Sequence, residues 1–72
     1  MSFQAYLDNV ETKTGKSADD LKSIAIEKGL ANDNGLAPGI KATAIVDWLK
    51  SEFDLGHGHA MSIVAYIKGK RN

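Results

Sequence analysis

An all-α fold, a compact four-helix domain of two helical hairpins, is predicted from three observations. Apolar residues recur at helical spacing in four segments. Serine, aspartate and glycine stand where helices start and stop. The 72 residues suffice for one domain with a thin core, since a chain of this size buries only about 60% of its unfolded surface.

The first helix is predicted over about residues 2–14. Phe3, Tyr6, Leu7 and Val10 follow the i, i+3, i+4, i+7 pattern and share one face. Ser2 is its expected N-cap and Gly15 its stop. The second helix, about residues 17–28, opens on Ser17-Ala18-Asp19-Asp20, which reads as a capping box with Asp in place of Glu. Both aspartates suit the positive end of the helix dipole. Leu21, Ile24 and Ala25 form its apolar stripe, and Lys28-Gly29 ends it.

Residues 30–39 read as a long connection, looser than the other turns. Asn32-Asp33-Asn34-Gly35 is turn chemistry and Pro38-Gly39 is a second break. Leu30 and Leu36 are expected to pin it to the core. The third helix, about residues 40–53, carries Ile45, Trp48, Leu49 and Phe53, the heaviest apolar face in the chain. Trp48, the only tryptophan, is expected at the core centre. Asp54-Leu55-Gly56 closes this helix, with Gly56 as a left-handed cap. The fourth helix, about residues 58–68, buries Ala60, Ile63, Val64 and Ile67. Gly69-Lys70-Arg71-Asn72 is expected to be a frayed basic tail.

Nine basic and nine acidic side chains cancel, so no global field draws in nucleic acid or an anionic membrane. No apolar run approaches the roughly 20 residues of a membrane span. The start, Met1-Ser2-Phe3-Gln4, lacks the basic and apolar regions of a signal peptide. With no cysteine either, the expected location is the cytoplasm.

The stretch from Ile45 through Asp47-Trp48-Leu49 to Leu55-Gly56-His57-Gly58-His59-Ala60-Met61 resembles the signature of the bacterial domain of unknown function 4287 family. Lys13-Thr14-Gly15-Lys16-Ser17 with Leu21, and Pro38-Gly39-Ile40-Lys41-Ala42, resemble it too. The likeness covers nearly the whole chain, although the loop from Ala31 to Leu36 is longer than the family pattern. The resemblance implies a compact helical domain. It supplies no catalytic residues.

The Gly56-His57-Gly58-His59 string draws chemical interest. Read as a metal pair, the histidines meet an objection of spacing: residues two apart in a helix point to different sides, and no cysteine or further histidine completes a site. No metal and no cofactor is therefore expected. Read structurally, Gly56 and Gly58 allow a tight reversal. Read as an anion site, the turn offers backbone N–H groups at a helix start, glycine to let a ligand approach, and imidazole donors. Lys41 adds to this third reading. It is expected in the first turn of the third helix, where a cation opposes the dipole at a cost of about 0.3–1 kcal/mol. The candidate ligand-binding set is Lys41, Gly56, His57, Gly58, His59 and Ala60.

Two alternatives belong to other classes. A helical hairpin with a glycine-rich turn is how some proteins hold nucleic-acid phosphates, and Lys68, Lys70 and Arg71 are the cations for it. The positions four and seven after Gly58 hold Ser62 and Ala65, which depart from that motif. A protein-interaction or homodimerisation surface is the other, built from Ile26, Val46, Met61 and Tyr66, which lie off the assigned core faces. Catalysis has least support. Ser17, Ser23, Ser51 and Ser62 have no triad context, and Gly15-Lys16-Ser17 lacks the upstream glycine of a phosphate loop, with Val10 in its place. The expected function is non-catalytic binding, with the 56–60 turn facing the ligand.

Overall fold

The computed structural model describes residues 2–70. The chain is mostly helical, as predicted: α1 spans Phe3–Thr14, α2 Ala18–Glu27, α3 Ala42–Phe53 and α4 His57–Ile67. The reading of residues 30–39 is corrected. The 30–39 connection holds a short antiparallel ladder, β1 Ala31–Asn32 with β2 Gly35–Leu36. The turn residues explain it. Asn32 Oδ1 accepts from the Asn34 N–H at 2.8 Å, and Gly35 takes φ +132°, closing a two-residue reversal. Ala37 N–H then donates to Leu30 O at 3.1 Å, and Ala31 is buried.

Helix ends follow capping chemistry closely at α1 and α2. Ser2 Oγ accepts from the Ala5 N–H at 3.1 Å. Ser17 Oγ accepts from the Asp20 N–H while Asp20 Oδ2 accepts from the Ser17 N–H, both at 3.1 Å, so Asp completes the box. After α2, Gly29 N–H donates to Ile26 O and Leu30 N–H to Ala25 O, the paired bonds of a Schellman ending. The end of α4 repeats it: Gly69 N–H donates to Tyr66 O and Lys70 N–H to Ala65 O. Gly69 and Lys70 are thereby tied down rather than frayed. Arg71 and Asn72 lie outside the described residues.

The core centres on α4, which packs against α1, α2 and α3. Its fully buried large side chains are Val10, Leu21, Ile45, Leu49, Ile63, Val64 and Ile67. Val46 and Leu55 are also buried, so α3 and the turn after it contribute more than the predicted stripe. Trp48 is not at the centre. It is half-buried at the edge, its ring 5.7 Å from Phe53 and nearly perpendicular to it. The aliphatic side chains fill the narrow interior, and an indole is too large to join them without displacing one.

Candidate functional site

The turn between α3 and α4 differs in detail from the sequence expectation. The left-handed residue is Asp54, at φ +54°, a conformation aspartate tolerates better than most side chains. Gly56 is extended, at φ −71° and ψ 166°, and is the N-cap of α4 rather than the C-cap of α3. Helix α4 therefore starts at His57, one or two residues earlier than predicted. Gly58 lies inside its first turn and makes no reversal.

Gly56 has no side chain, so the start of α4 has no side-chain cap. The first intrahelical bond runs from the Ala60 N–H to Gly56 O at 2.9 Å. The N–H groups of His57, Gly58 and His59 precede it and have no partner among the described residues. A Cβ built on Gly56 would meet nothing within 4 Å, so the approach is open. No acidic residue stands in the first turn to answer the dipole.

The six predicted ligand residues do not all converge. Gly56, His57 and Gly58 are exposed and adjacent. His59 is half-buried, its ring 5.2 Å from Tyr6 in an edge-on contact, and its Nε2 is shielded from solvent with no hydrogen-bond partner. Ala60 drops out: its side chain is fully buried and its N–H is taken. Lys41 drops out as well. It is the exposed N-cap of α3, and the helix holds it about 20 Å from Asp54 at the other end. Its cation thus stands at the cap rather than in the first turn, and away from the histidines.

The two histidines sit two residues apart on one helix and diverge as the spacing predicted. Among the described residues, no group of three His, Cys, Asp or Glu is placed to hold a metal ion. Lys68 and Lys70 lie beyond the opposite end of α4, about 16 Å along the helix from His57. Arg71, the third cation of that set, is outside the described residues.

Two features were not predicted. Gly58 lines a groove of about 480 Å³ between α1 and α4. Phe3 and Tyr6 form one wall, and Met61, Ser62 and Ala65 continue along α4 towards Lys70, whose Nζ lies 5.4 Å from the centre of the Phe3 ring. The signal was present in the sequence: Gly58, Ser62 and Ala65 are small residues at i, i+4 and i+7. Ser62 is buried, and its Oγ donates to Gly58 O at 3.0 Å. A smaller recess of about 250 Å³ is lined by Asp8, Glu11 and Asp19 on α1 and α2. There Tyr66 donates its hydroxyl to Asp19 Oδ1, bridging α4 to the start of α2.

The predicted interaction surface shrinks. Val46 is buried and Tyr66 half-buried, leaving Ile26 and Met61, at 38% and 39% exposure, as the exposed large apolar side chains among the described residues. No helix among them is long and apolar enough to cross a membrane.

No curated protein and no solved structure matches the chain. A family model described as a domain of unknown function (DUF4287) matches residues 2–69, so this chain belongs to the DUF4287 family.

Proposed function

We propose that this domain is a non-catalytic binding module that captures a small anion at the first turn of α4. The observation that carries the reading is the set of unpartnered N–H groups of His57, Gly58 and His59 at an open, uncapped helix start. Such a start presents aligned donors and the positive end of a helix dipole. Exposed His57 supplies a further donor at the rim. In this reading α1–α2 and α3–α4 form two helical pairs, and the protein works in the cytoplasm, in keeping with its lack of cysteine.

Nucleic-acid backbone binding through the same turn has less support. Lys41, Lys68 and Lys70 stand at the far ends of α3 and α4, so they add no charge beside the free N–H groups.

The test is an amide-resolved NMR titration with inorganic phosphate and with acetate. Saturable shifts at His57, Gly58 and His59 are expected, with residues around Lys41 unmoved. If those three amides stay in place up to tens of millimolar of either anion, the reading fails.

A further inference from the structure

We infer that Asn34 is a site of spontaneous covalent modification: the Gly35 nitrogen attacks its side chain, and the deamidation that follows loosens the β1–β2 ladder.

The reaction needs a side-chain carboxamide, a following backbone nitrogen that can reach it, and water. Asn34 and Gly35 stand side by side at the reversal between β1 and β2. Gly35 has no side chain to hinder approach to its nitrogen. Asn34 is exposed, and its carboxamide makes no hydrogen bond among the described residues, since the bond to Asn32 Oδ1 at 2.8 Å uses its backbone N–H. The deprotonated Gly35 nitrogen adds to Asn34 Cγ and ammonia leaves, which closes a succinimide ring. Water then reopens the ring. Attack at Cγ leaves aspartate. Attack at the main-chain carbonyl leaves isoaspartate, with the backbone rerouted through Cβ. Nothing is oxidised or reduced: carboxamide and water become carboxylate and ammonium. Gly35 pairs with Asn32 in the ladder, but the ladder joins only two residue pairs, so its turn end opens at small cost and frees the nitrogen.

The other described asparagines are protected. Asn9 lies within α1, where helical bonding fixes the following amide and Val10 is β-branched. Asn32 has its carboxamide oxygen bonded to the Asn34 N–H, and Asp33 follows it with a side chain in the way.

The two products differ in effect. Either one adds a negative charge to a chain whose formal charges cancel. Isoaspartate also adds a methylene group to the main chain. Gly35 is buried at φ +132°, and a Cβ there would lie 3.8 Å from Lys68 Cα, so this backbone is packed against the end of α4. A longer main chain fits neither that packing nor the pairing of Asn32 with Gly35. Buried Ala31 belongs to the same ladder, which ties the reversal to the core.

The experiment incubates the intact, folded chain at neutral and at alkaline pH in heavy-oxygen water and follows it over days by peptide mapping with mass spectrometry. Position 34 should take up a single labelled oxygen, several-fold faster than position 9 or 32 and faster at alkaline pH, with aspartate and isoaspartate both formed. Asn34→Gln, whose longer side chain closes the ring poorly, should stop the conversion. The isoaspartyl form, separated by ion exchange, should unfold at a lower urea midpoint than the parent chain. Asn34→Asp keeps the main-chain length and should stay near the parent midpoint. Survival of the Asn34 carboxamide at alkaline pH, or earlier conversion at Asn9 or Asn32, would overturn the assignment of the site. An isoaspartyl form as stable as the parent would overturn its coupling to the ladder.

Discussion

Replacing Gly56 by Asp places a carboxylate on the uncapped start of α4. The backbone already suits it. Gly56 has φ −71° and ψ 166°, within a few degrees of the serine caps Ser2 (−75°, 162°) and Ser17 (−72°, 167°). A Cβ there meets nothing within 4 Å. Three contributions favour the variant. The side-chain cap is worth a few tenths of a kcal/mol over glycine. The charge at the positive helix end adds about 0.3–1 kcal/mol. Loss of glycine's freedom in the unfolded chain adds about 0.4–1 kcal/mol. Discounted for exposure, the gain is about 1 kcal/mol, or a rise in Tm of about 4–8 °C for a domain of this size. Thermal unfolding followed by circular dichroism measures it at low and high salt, the charge part shrinking with salt. The same carboxylate occupies the first-turn donors, so the phosphate and acetate shifts should disappear. A Tm equal to or below that of the parent chain would refute the assignment of Gly56 as an open N-cap.

Gly58→Ala should stabilise by up to about 0.5–1 kcal/mol in urea unfolding, because Gly58 is helical and its new methyl would meet Tyr6 Cε1 at an ordinary 3.7 Å. A marked loss would mean that the residue makes the reversal its sequence suggests. Leu49→Ala removes a fully buried side chain of α3 and should cost about 2–5 kcal/mol, a large share of a small domain's stability, read as a lower urea midpoint. Tyr66→Phe removes the bond to Asp19 and should cost about 0.5–1.5 kcal/mol, at the low end because the acceptor is exposed. No change in urea midpoint would show that the bond makes no net contribution.

The four helices were legible because their signals are local. Phe3, Leu7 and Val10 give a period, Ser17 and Asp20 a cap, Gly15 and Gly29 a stop, and each is decided within a few residues. Position in the core was less legible, because it depends on which helix lies at the middle. Trp48 outweighs every neighbour in apolar area, yet α4 runs through the centre, and the space beside it admits Ile45 and Leu49 rather than an indole. The ladder at Ala31–Leu36 was read only as turn chemistry, since two residues per strand carry no alternation to detect. At the site, adjacency in sequence identifies Gly56, His57 and Gly58, whereas Lys41 shares only the chemistry of a helix start, and the 40–53 helix already separates it from the turn by about 20 Å. The groove combines α1 with α4, more than fifty residues apart, and only the small residues Gly58, Ser62 and Ala65 hinted at it.

The start of α4 is weak by every local measure. Glycine at the cap and glycine in the first turn both disfavour helix, and no side chain satisfies the first donors. The helix forms there because Ala60, Ile63, Val64 and Ile67 are buried against three other helices, and tertiary packing outweighs local preference. That burial begins at Ala60, four residues past the cap, so nothing in the core requires glycine at 56 or 58. Exposed positions where substitution stabilises a fold are where function competes with stability. The two glycine variants together separate the cases. If Gly56→Asp and Gly58→Ala both stabilise, and only the aspartate silences the anion response, Gly56 is kept open for the ligand and Gly58 is not required by it. If both destabilise, the Gly-His-Gly-His turn is a structural corner and the free N–H groups are incidental to it.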